Sequence, residues 1–256
     1  MPTVRSTATL GLLGLLGGAL VGGVGVPAVQ GVRVMRRTER LPEADGPSGR
    51  VGPAHGQVTR LVVVGDSVAS GVGVAHHRES VAGQVAHRLA AAVDGAVEWQ
   101  VVAHSGDTAE KVRALVEAAA DVVAAADLVV VSVGVNDVIS RHPRSRWRRE
   151  YAALLDRLTE LNAHAPVVVF ALPPLRHFPV LPFPLNRYVG GRAAQFDTDA
   201  RVVVDLRDRV SRFVMDLPPG AEWFARDGFH PSALLNAEFA VQILASWQEI
   251  RIAARP

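Results

Sequence analysis

The sequence predicts an α/β domain in which a parallel sheet is covered by helices on both faces. Two observations carry this expectation. Short, uninterrupted apolar runs recur at Arg60–Gly65, Leu128–Val133 and Val167–Ala171, and such runs suit strands buried on both sides. Longer segments with helical spacing of apolar residues alternate with them, which implies parallel strands joined by crossover helices.

The elements follow in chain order. Residues 1–32 stand apart as a signal or membrane-anchor segment. No charge occurs between Arg5 and Arg33, and Leu10–Val26 consists of Leu, Val, Ala and Gly only, the makeup of a signal-peptide core or short membrane helix. Gly14, Gly18 and Gly22 are spaced four apart, placing them near one face of a helix in lipid. Val26-Pro27-Ala28 offers a small-residue cleavage site, whereas Arg33, Arg36, Arg37 and Arg40 directly afterwards favour keeping that flank cytoplasmic. Export and tethering both stay open, and a membrane-tethered or exported protein, in contact with the membrane through this segment, is expected. Residues 33–58 read as a basic, then Pro/Gly-rich, linker.

The folded domain is expected over residues 59–256. Its first strand, Arg60–Gly65, is followed by helical patterns at Ser80–Val93, Thr108–Ala125, Arg146–Asn162, Thr198–Asp216 and Pro231–Arg251. Ser80 and Thr108 stand where N-caps belong. Val97–Ala103 is a further strand that begins with alternation at Glu98 and Gln100. Leu172–Tyr188, with Pro173, Pro174, Phe178, Pro179, Pro182, Phe183 and Pro184, reads as a stiff apolar loop at the sheet edge, suited to wall a pocket.

Composition narrows the chemistry. Over 256 residues, 49% are apolar and 20% charged, which excludes disorder as the main state. Cysteine is absent, so disulfides, thiolate metal sites and Cys nucleophiles are excluded together. The net charge of +2 divides unevenly: residues 1–58 carry six Arg against three acids, a net +3, and the remainder is −1. The basic pI of about 9.6 therefore belongs to the N-terminal piece.

In parallel sheets, function gathers where strands end at their carboxyl edge. Gly65-Asp66-Ser67 follows the first strand, with Gly71 shortly after; His104-Ser105-Gly106-Asp107 and Gly134-Val135-Asn136-Asp137 follow two others. Asp227-Gly228-Phe229-His230 stands before the last helix. A serine hydroxyl needs a base to take its proton. His230 supplies that base, and Asp227, three residues earlier, reaches the other ring nitrogen. The N–H groups of Ser67 and Gly106 and the amide of Asn136 are candidate oxyanion donors. Glycine at 106 and 134 avoids a side chain that would crowd an approaching substrate. Asp66 and Asp137 are expected to bond loop N–H groups.

On these residues the chain resembles the SGNH (GDSL) hydrolase superfamily, whose four named residues correspond to Ser67, Gly106, Asn136 and His230. The resemblance spans residues 60–235, essentially the whole domain. It implies a flavodoxin-like three-layer α/β/α fold with a parallel central sheet, and cofactor-free hydrolysis of esters, thioesters or acetylated sugars. The Gly-X-Asn-Asp loop and the Asp-X-X-His pair make the set specific; the block holding Gly106 rests on one glycine. Gly65-Asp66-Ser67-Val68-Ala69 also approaches the nucleophile elbow of α/β-hydrolases. That fold places its serine after several strands and its acid well before its histidine, unlike this chain.

The expected function is a serine esterase acting on small or short-chain acyl esters. Ser67 is the nucleophile, His230 the base and Asp227 its orienting acid; Ser67, Gly106 and Asn136 form the oxyanion hole. His104, Val135, Phe178 and Phe229 are candidate substrate contacts. The alternatives on the same fold are an acyltransferase, a thioesterase or lysophospholipase, and a non-catalytic membrane-tethered module that binds lipid or glycan. His76-His77 lacks further ligands at metal spacing, so no metal is expected there, and the resemblance implies no cofactor. The cluster Arg141, Arg144, Arg146, Arg148, Arg149 with Trp147 is the best nucleic-acid candidate, but pairing with Glu150, Asp156 and Glu160 on a solvated face is favoured. No nucleic-acid partner and a monomer are expected.

Overall fold

The computed structural model describes residues 25–253 apart from 216, 218 and 219. Residues 25–37 are helical (α1), and the core begins with strand β1 (Ser48–Val51) and strand β2 (Val58–Gly65). Helix α2 (Val81–Val93), strand β3 (Ala96–Ala103), helices α3 (Ala109–Ala118) and α4 (Ala120–Ala124), and strand β4 (Leu128–Ser132) follow. Then come α5 (Val135–Ile139), α6 (Arg144–Leu161), β5 (Val167–Phe170), α7 (Leu185–Val204), β6 (Val210–Phe213) and α8 (Ala233–Ala253).

The six strands form one sheet in the order β1-β3-β2-β4-β5-β6. Every neighbouring pair is parallel except β1 with β3. The parallel strands alone run second, first, third, fourth, fifth, so the winding reverses between β2 and β4. In open α/β sheets the ligand crevice lies at such a reversal, outside the carboxyl ends of the strands. Gly65 stands beside Ala103 on one side and Ser132 on the other.

The side-chain alternation of β2 divides the core into two layers. Val62 and Val64, with Val129 and Val131 of β4, pack under α3, α6 and α7, around Trp147, Tyr151, Leu154 and Phe196. Leu61 and Val63, with Leu128 and Val130, face α2 and α8, around Val85, Leu89, Phe239 and Ile243. Both faces of each central strand are therefore dry, which explains the unbroken apolar runs. Trp147 is fully buried. It stacks on Tyr151 at 4.6 Å and on Phe196 at 5.7 Å, and its Nε1 donates to Phe196 O at 3.0 Å.

Four sequence expectations are corrected. Residues 48–51, expected within the linker, form the antiparallel edge strand β1, and Ala44 N of the same stretch donates to Ser70 O at 3.0 Å. The helix expected over Thr198–Asp216 ends at Val204, and Val210–Phe213 is instead strand β6. As an edge strand, β6 tolerates Ser211 and Arg212 between its two buried ends. The loop expected through Tyr188 gives way to α7 at Leu185. The helix expected over Thr108–Ala125 breaks at Ala119 into α3 and α4. Ser80 does cap α2, accepting from Ala82 N at 3.3 Å. Thr108 holds the N-cap position of α3 without a side-chain bond; the carboxylate of Asp137 accepts from Ala109 N at 3.0 Å instead.

Of residues 1–32, expected to form a signal or membrane-anchor segment, only 25–32 are among the described residues, and these belong to α1. Among the described residues no helix is long and apolar enough to cross a membrane. Removing the central aromatic of the larger layer tests the packing account: Trp147→Ala should lower the unfolding free energy by about 3–5 kcal/mol, read by urea titration.

Candidate active site

The site grows from the carboxyl ends of β2, β3 and β4. Gly65 has φ +152°, and a Cβ there would lie 2.0 Å from Ser132 O, so only glycine lets β2 run this close to β4. Asp66 N then donates to Ser132 O at 2.9 Å. Ser67 follows in a half-buried turn closed by Ser70 N to Asp66 O at 2.8 Å and Val72 N to Ser67 O at 2.9 Å. The segment does not pass straight into a helix; α2 begins only at Val81. The serine is therefore placed by a turn and not by a helix N-terminus. Gly73 continues the turn, where a Cβ would meet Pro231 O at 2.6 Å, so the serine loop packs directly on the histidine loop.

That second loop is ordered by one carboxylate. Asp227 Oδ2 accepts from His230 Nδ1 at 2.6 Å, and Oδ1 accepts from Phe229 N at 2.9 Å and His230 N at 3.0 Å. Burial pushes this carboxyl up, but the hydrogen bonds from the His230 ring and the two N–H groups outweigh it and hold it below the usual carboxylate range. With Nδ1–H given to Asp227, Nε2 is the ring nitrogen left with a lone pair. Ser67 and His230 line the same cavity, of about 40 Å³.

The cavity walls are apolar. Val135, Phe178, Phe224 and Phe229 line it, with Asp66, Ser67 and His230 as its polar residues. Phe178 meets Phe224 at 5.2 Å and Phe229 at 5.3 Å, edge to face, and Phe229 meets the His230 ring at 5.2 Å. Of the four candidate substrate contacts, Val135, Phe178 and Phe229 thus come together. His104 does not: it is exposed and its Nδ1 stands 3.5 Å from Asp107 Oδ1, away from the cavity lining.

Asn136 joins the three loops. Its Nδ2 donates to Asp107 O at 3.0 Å and approaches Asp66 Oδ2 at 3.5 Å, so its amide reaches across to the β3 loop. Among the described residues, the N–H groups of Ser67 and Gly106 donate to no protein acceptor. Gly106 has φ +89° with open space where a Cβ would stand, so its glycine serves the backbone conformation. At Gly134 a Cβ would meet Trp147 at 2.7 Å; the expectation that a side chain there would crowd the substrate is corrected to crowding of the core.

Of the two remaining acids, Asp66 bonds a loop N–H group as expected, whereas Asp137 bonds the first N–H of α3. Asp137 accepts from Ala109 N and from His142 Nδ1 at 3.1 Å, and burial raises its pKa. Asp66 accepts from Val68 N and Ser132 Oγ, each at 3.3 Å, and burial pushes it up to about 7. Several supporting residues escaped the sequence reading. Glu43, assigned to the linker, accepts from Ser105 N at 2.6 Å through Oε1 and steadies the Gly106 loop. Ser132, Gly73 and Phe224 also contribute; of these only Gly73 carries a local signal, as a second glycine after the serine. Among the described residues no cluster of His, Asp and Glu could hold a metal ion, His76 and His77 included. His77 is buried with its Nδ1 3.0 Å from Ser80 Oγ.

The cluster around Trp147 also resolves. Arg144 pairs with Asp199 at 2.8 Å, Arg146 with Glu110 at 2.6 Å and Arg149 with Glu150 at 3.0 Å. Asp156 and Glu160, expected as partners here, pair with Arg207 and Arg157.

With the geometry in view, comparisons give a consistent picture. The family model of the GDSL-like lipase/acylhydrolase family matches residues 63–237. A lipase from a goat rumen metagenome superposes with TM-score 0.61 at 17% identity, over 73% of this chain and 97% of that one. A Clostridium thermocellum family 3 carbohydrate esterase gives 0.59 at 15% identity, over 78% and 100%. A lipase/acylhydrolase from Enterococcus faecalis gives 0.57 at 20% identity, over 77% and 98%. At these identities the likeness shows the shared fold. No curated protein gives a significant match.

The Asp66 environment predicts a pH effect. A carboxyl whose folded pKa lies above its unfolded one contributes most to stability at low pH, and the contribution fades as pH rises from about 4 to about 7. Asp66→Asn should remove this component, worth on the order of 4 kcal/mol across the window. Urea titrations of both proteins at pH 4, 5.5 and 7 check it as a flatter stability profile in the variant.

Proposed function

The chain belongs to the GDSL-like lipase/acylhydrolase family and is a hydrolase, and from that premise we propose a serine esterase acting on short-chain acyl esters. The observation that carries this reading is the 2.6 Å bond from His230 Nδ1 to Asp227, with His230 and Ser67 lining one apolar cavity.

In the proposed cycle Ser67 Oγ attacks the acyl carbon and its proton passes to His230 Nε2. Asp227 fixes the ring and stabilises the imidazolium. The negative charge that develops on the carbonyl oxygen is held by the N–H groups of Ser67 and Gly106. Asn136 joins them by exchanging its 3.5 Å approach to Asp66 for the oxyanion while keeping its 3.0 Å bond to Asp107 O. His230 then returns the proton to the leaving alkoxide. Water, activated by the same histidine, releases the acid from Ser67. The small aromatic-lined cavity supports an acyl group of a few carbons.

Ser67→Ala is expected to reduce p-nitrophenyl acetate hydrolysis by at least about 10³-fold and to abolish labelling by a fluorophosphonate probe. Equal rates in variant and wild type would remove the serine from the mechanism. Asp227→Asn should leave the fold intact and lower kcat by about 10⁴-fold, because the histidine loses its tautomer control. Across p-nitrophenyl esters, kcat/KM should decline from butyrate to longer chains; a rise with chain length contradicts the short-chain assignment.

A further inference from the structure

One end of the molecule combines an exposed apolar ridge with an excess of positive charge over acids. On α1, Val29, Val32 and Met35 are 71%, 52% and 67% exposed, and their three-residue spacing keeps them on the outer side of the helix. Phe183, 71% exposed, belongs to the same surface. Gln30 Nε2 donates to its carbonyl at 2.8 Å, and Leu185 N donates to Gln30 Oε1 at 3.1 Å. Behind the ridge a cleft of about 560 Å³ runs between α1 and the loop from Pro179 to Pro182, and it reaches Asp227. Arg33, Arg37 and Arg226 line it, together with the acids Glu39 and Asp227. Arg226 is paired with Glu39 at 2.8 Å. Among the described residues Arg33, Arg36, Arg37 and Arg40 have no acidic partner.

Unpaired guanidiniums bordering exposed aliphatic side chains suit one environment in particular. At a lipid–water boundary, aliphatic groups enter the acyl region while arginines reach headgroup phosphates in a bidentate manner. The charge is complementary to an anionic leaflet. The chain running into α1 is uncharged from Ser6 to Val32, so the apolar character is continuous with the preceding sequence. We propose that α1, with Phe183 and the cleft behind them, is a docking surface for an anionic membrane, Arg33 and Arg37 receiving a lipid phosphate. Val180 N donates to Gly228 O at 3.4 Å, so the cleft wall is joined to the loop that bears Asp227 and His230, and docking sets the esterase cavity next to the lipid surface. The inference stands independently of the esterase reading, because membrane binding is read without turnover.

The test is co-sedimentation of the full chain with phosphatidylcholine vesicles and with vesicles that also contain phosphatidylglycerol. Tighter binding to the anionic vesicles is expected. Arg33→Gln/Arg37→Gln should weaken that binding by roughly 25-fold, about fivefold per arginine, and Met35→Asp should weaken it as well. Neither variant should change hydrolysis of p-nitrophenyl acetate in the absence of vesicles. Equal binding to both vesicle types, or an anionic preference that survives the double substitution, overturns the proposal. So does saturable binding of inorganic phosphate without vesicle preference, which assigns the cleft to a soluble anion. Vesicle binding untouched by Met35→Asp also overturns it, since another segment or a second copy then covers the ridge.

Discussion

The arrangement at the sheet edge depends on how closely β2 approaches β4 at Gly65. A Cβ there would sit 2.0 Å from Ser132 O, so any side chain would part the two strands where the winding of the sheet reverses. With hydrogen in its place, Asp66 N reaches Ser132 O at 2.9 Å, and the turn bearing Ser67 begins level with the start of α5, which bears Asn136. The Asp66 side chain is then enclosed between them, with Ser132 Oγ at 3.3 Å and Asn136 Nδ2 at 3.5 Å. Asn136 carries the connection on to Asp107 O at 3.0 Å and so to the Gly106 loop. Three loops, each from a different strand end, are thereby held together by a chain of contacts that starts from one missing side chain.

Two carboxyl groups at this edge meet opposite electrostatic fates for legible reasons. The donors around Asp66 are neutral and long, at 3.3 to 3.5 Å, and burial prevails. Asp227 accepts three bonds at 2.6, 2.9 and 3.0 Å, one from an imidazole ring, and these prevail over burial. The acid next to the serine therefore keeps its proton up to about pH 7, while the acid next to the histidine is ionised. Under the proposed chemistry that division is useful. A full negative charge on Asp66 would oppose an oxyanion forming nearby, whereas one on Asp227 stabilises the imidazolium.

The central strands were legible because their burial on both faces leaves a continuous apolar run, as in Leu61–Val64 and Leu128–Val131. The edge strands were not. Ser48–Val51 contains a glycine and an arginine, and Val210–Phe213 has polar residues at its centre, because an edge strand need not be apolar throughout. In β6 the spacing of Val210 and Phe213 even fits a helical repeat, which explains the helix expected there. The first half of α7 was hidden by Gly190 and Gly191, yet Gly190 is required by contact, since a Cβ would meet Arg176 at 2.7 Å. At the site, Asp227 and His230 were legible because their contact is local, three residues apart. The Glu43–Ser105 bond, the Ser132–Asp66 bond and the packing of Trp147 on Gly134 join distant parts of the chain, and no short-range pattern announces them.

Arginine count and positive field also part company here. The run from Arg141 to Arg149 is dense in sequence, but three of its five arginines meet acids, two of them on other helices and one at the next residue, and Trp147 points into the core. Elsewhere on the same face Arg157 meets Glu117, Arg207 meets Asp156 and Arg212 meets Asp197. The exposed pairs among these, such as Arg146 with Glu110, add little stability, about 0–1 kcal/mol each. Their larger effect is to cancel the field at distance, because opposite charges a few ångströms apart act as a dipole beyond a Debye length of roughly 8 Å. Among the described residues Arg33, Arg36, Arg37 and Arg40 also lack an acidic partner, and four such arginines are crowded into one short stretch with few acids beside them. A density of like charge in sequence becomes a surface field only where the fold withholds the counter-charges, and in this chain that happens along α1 and the turn after it.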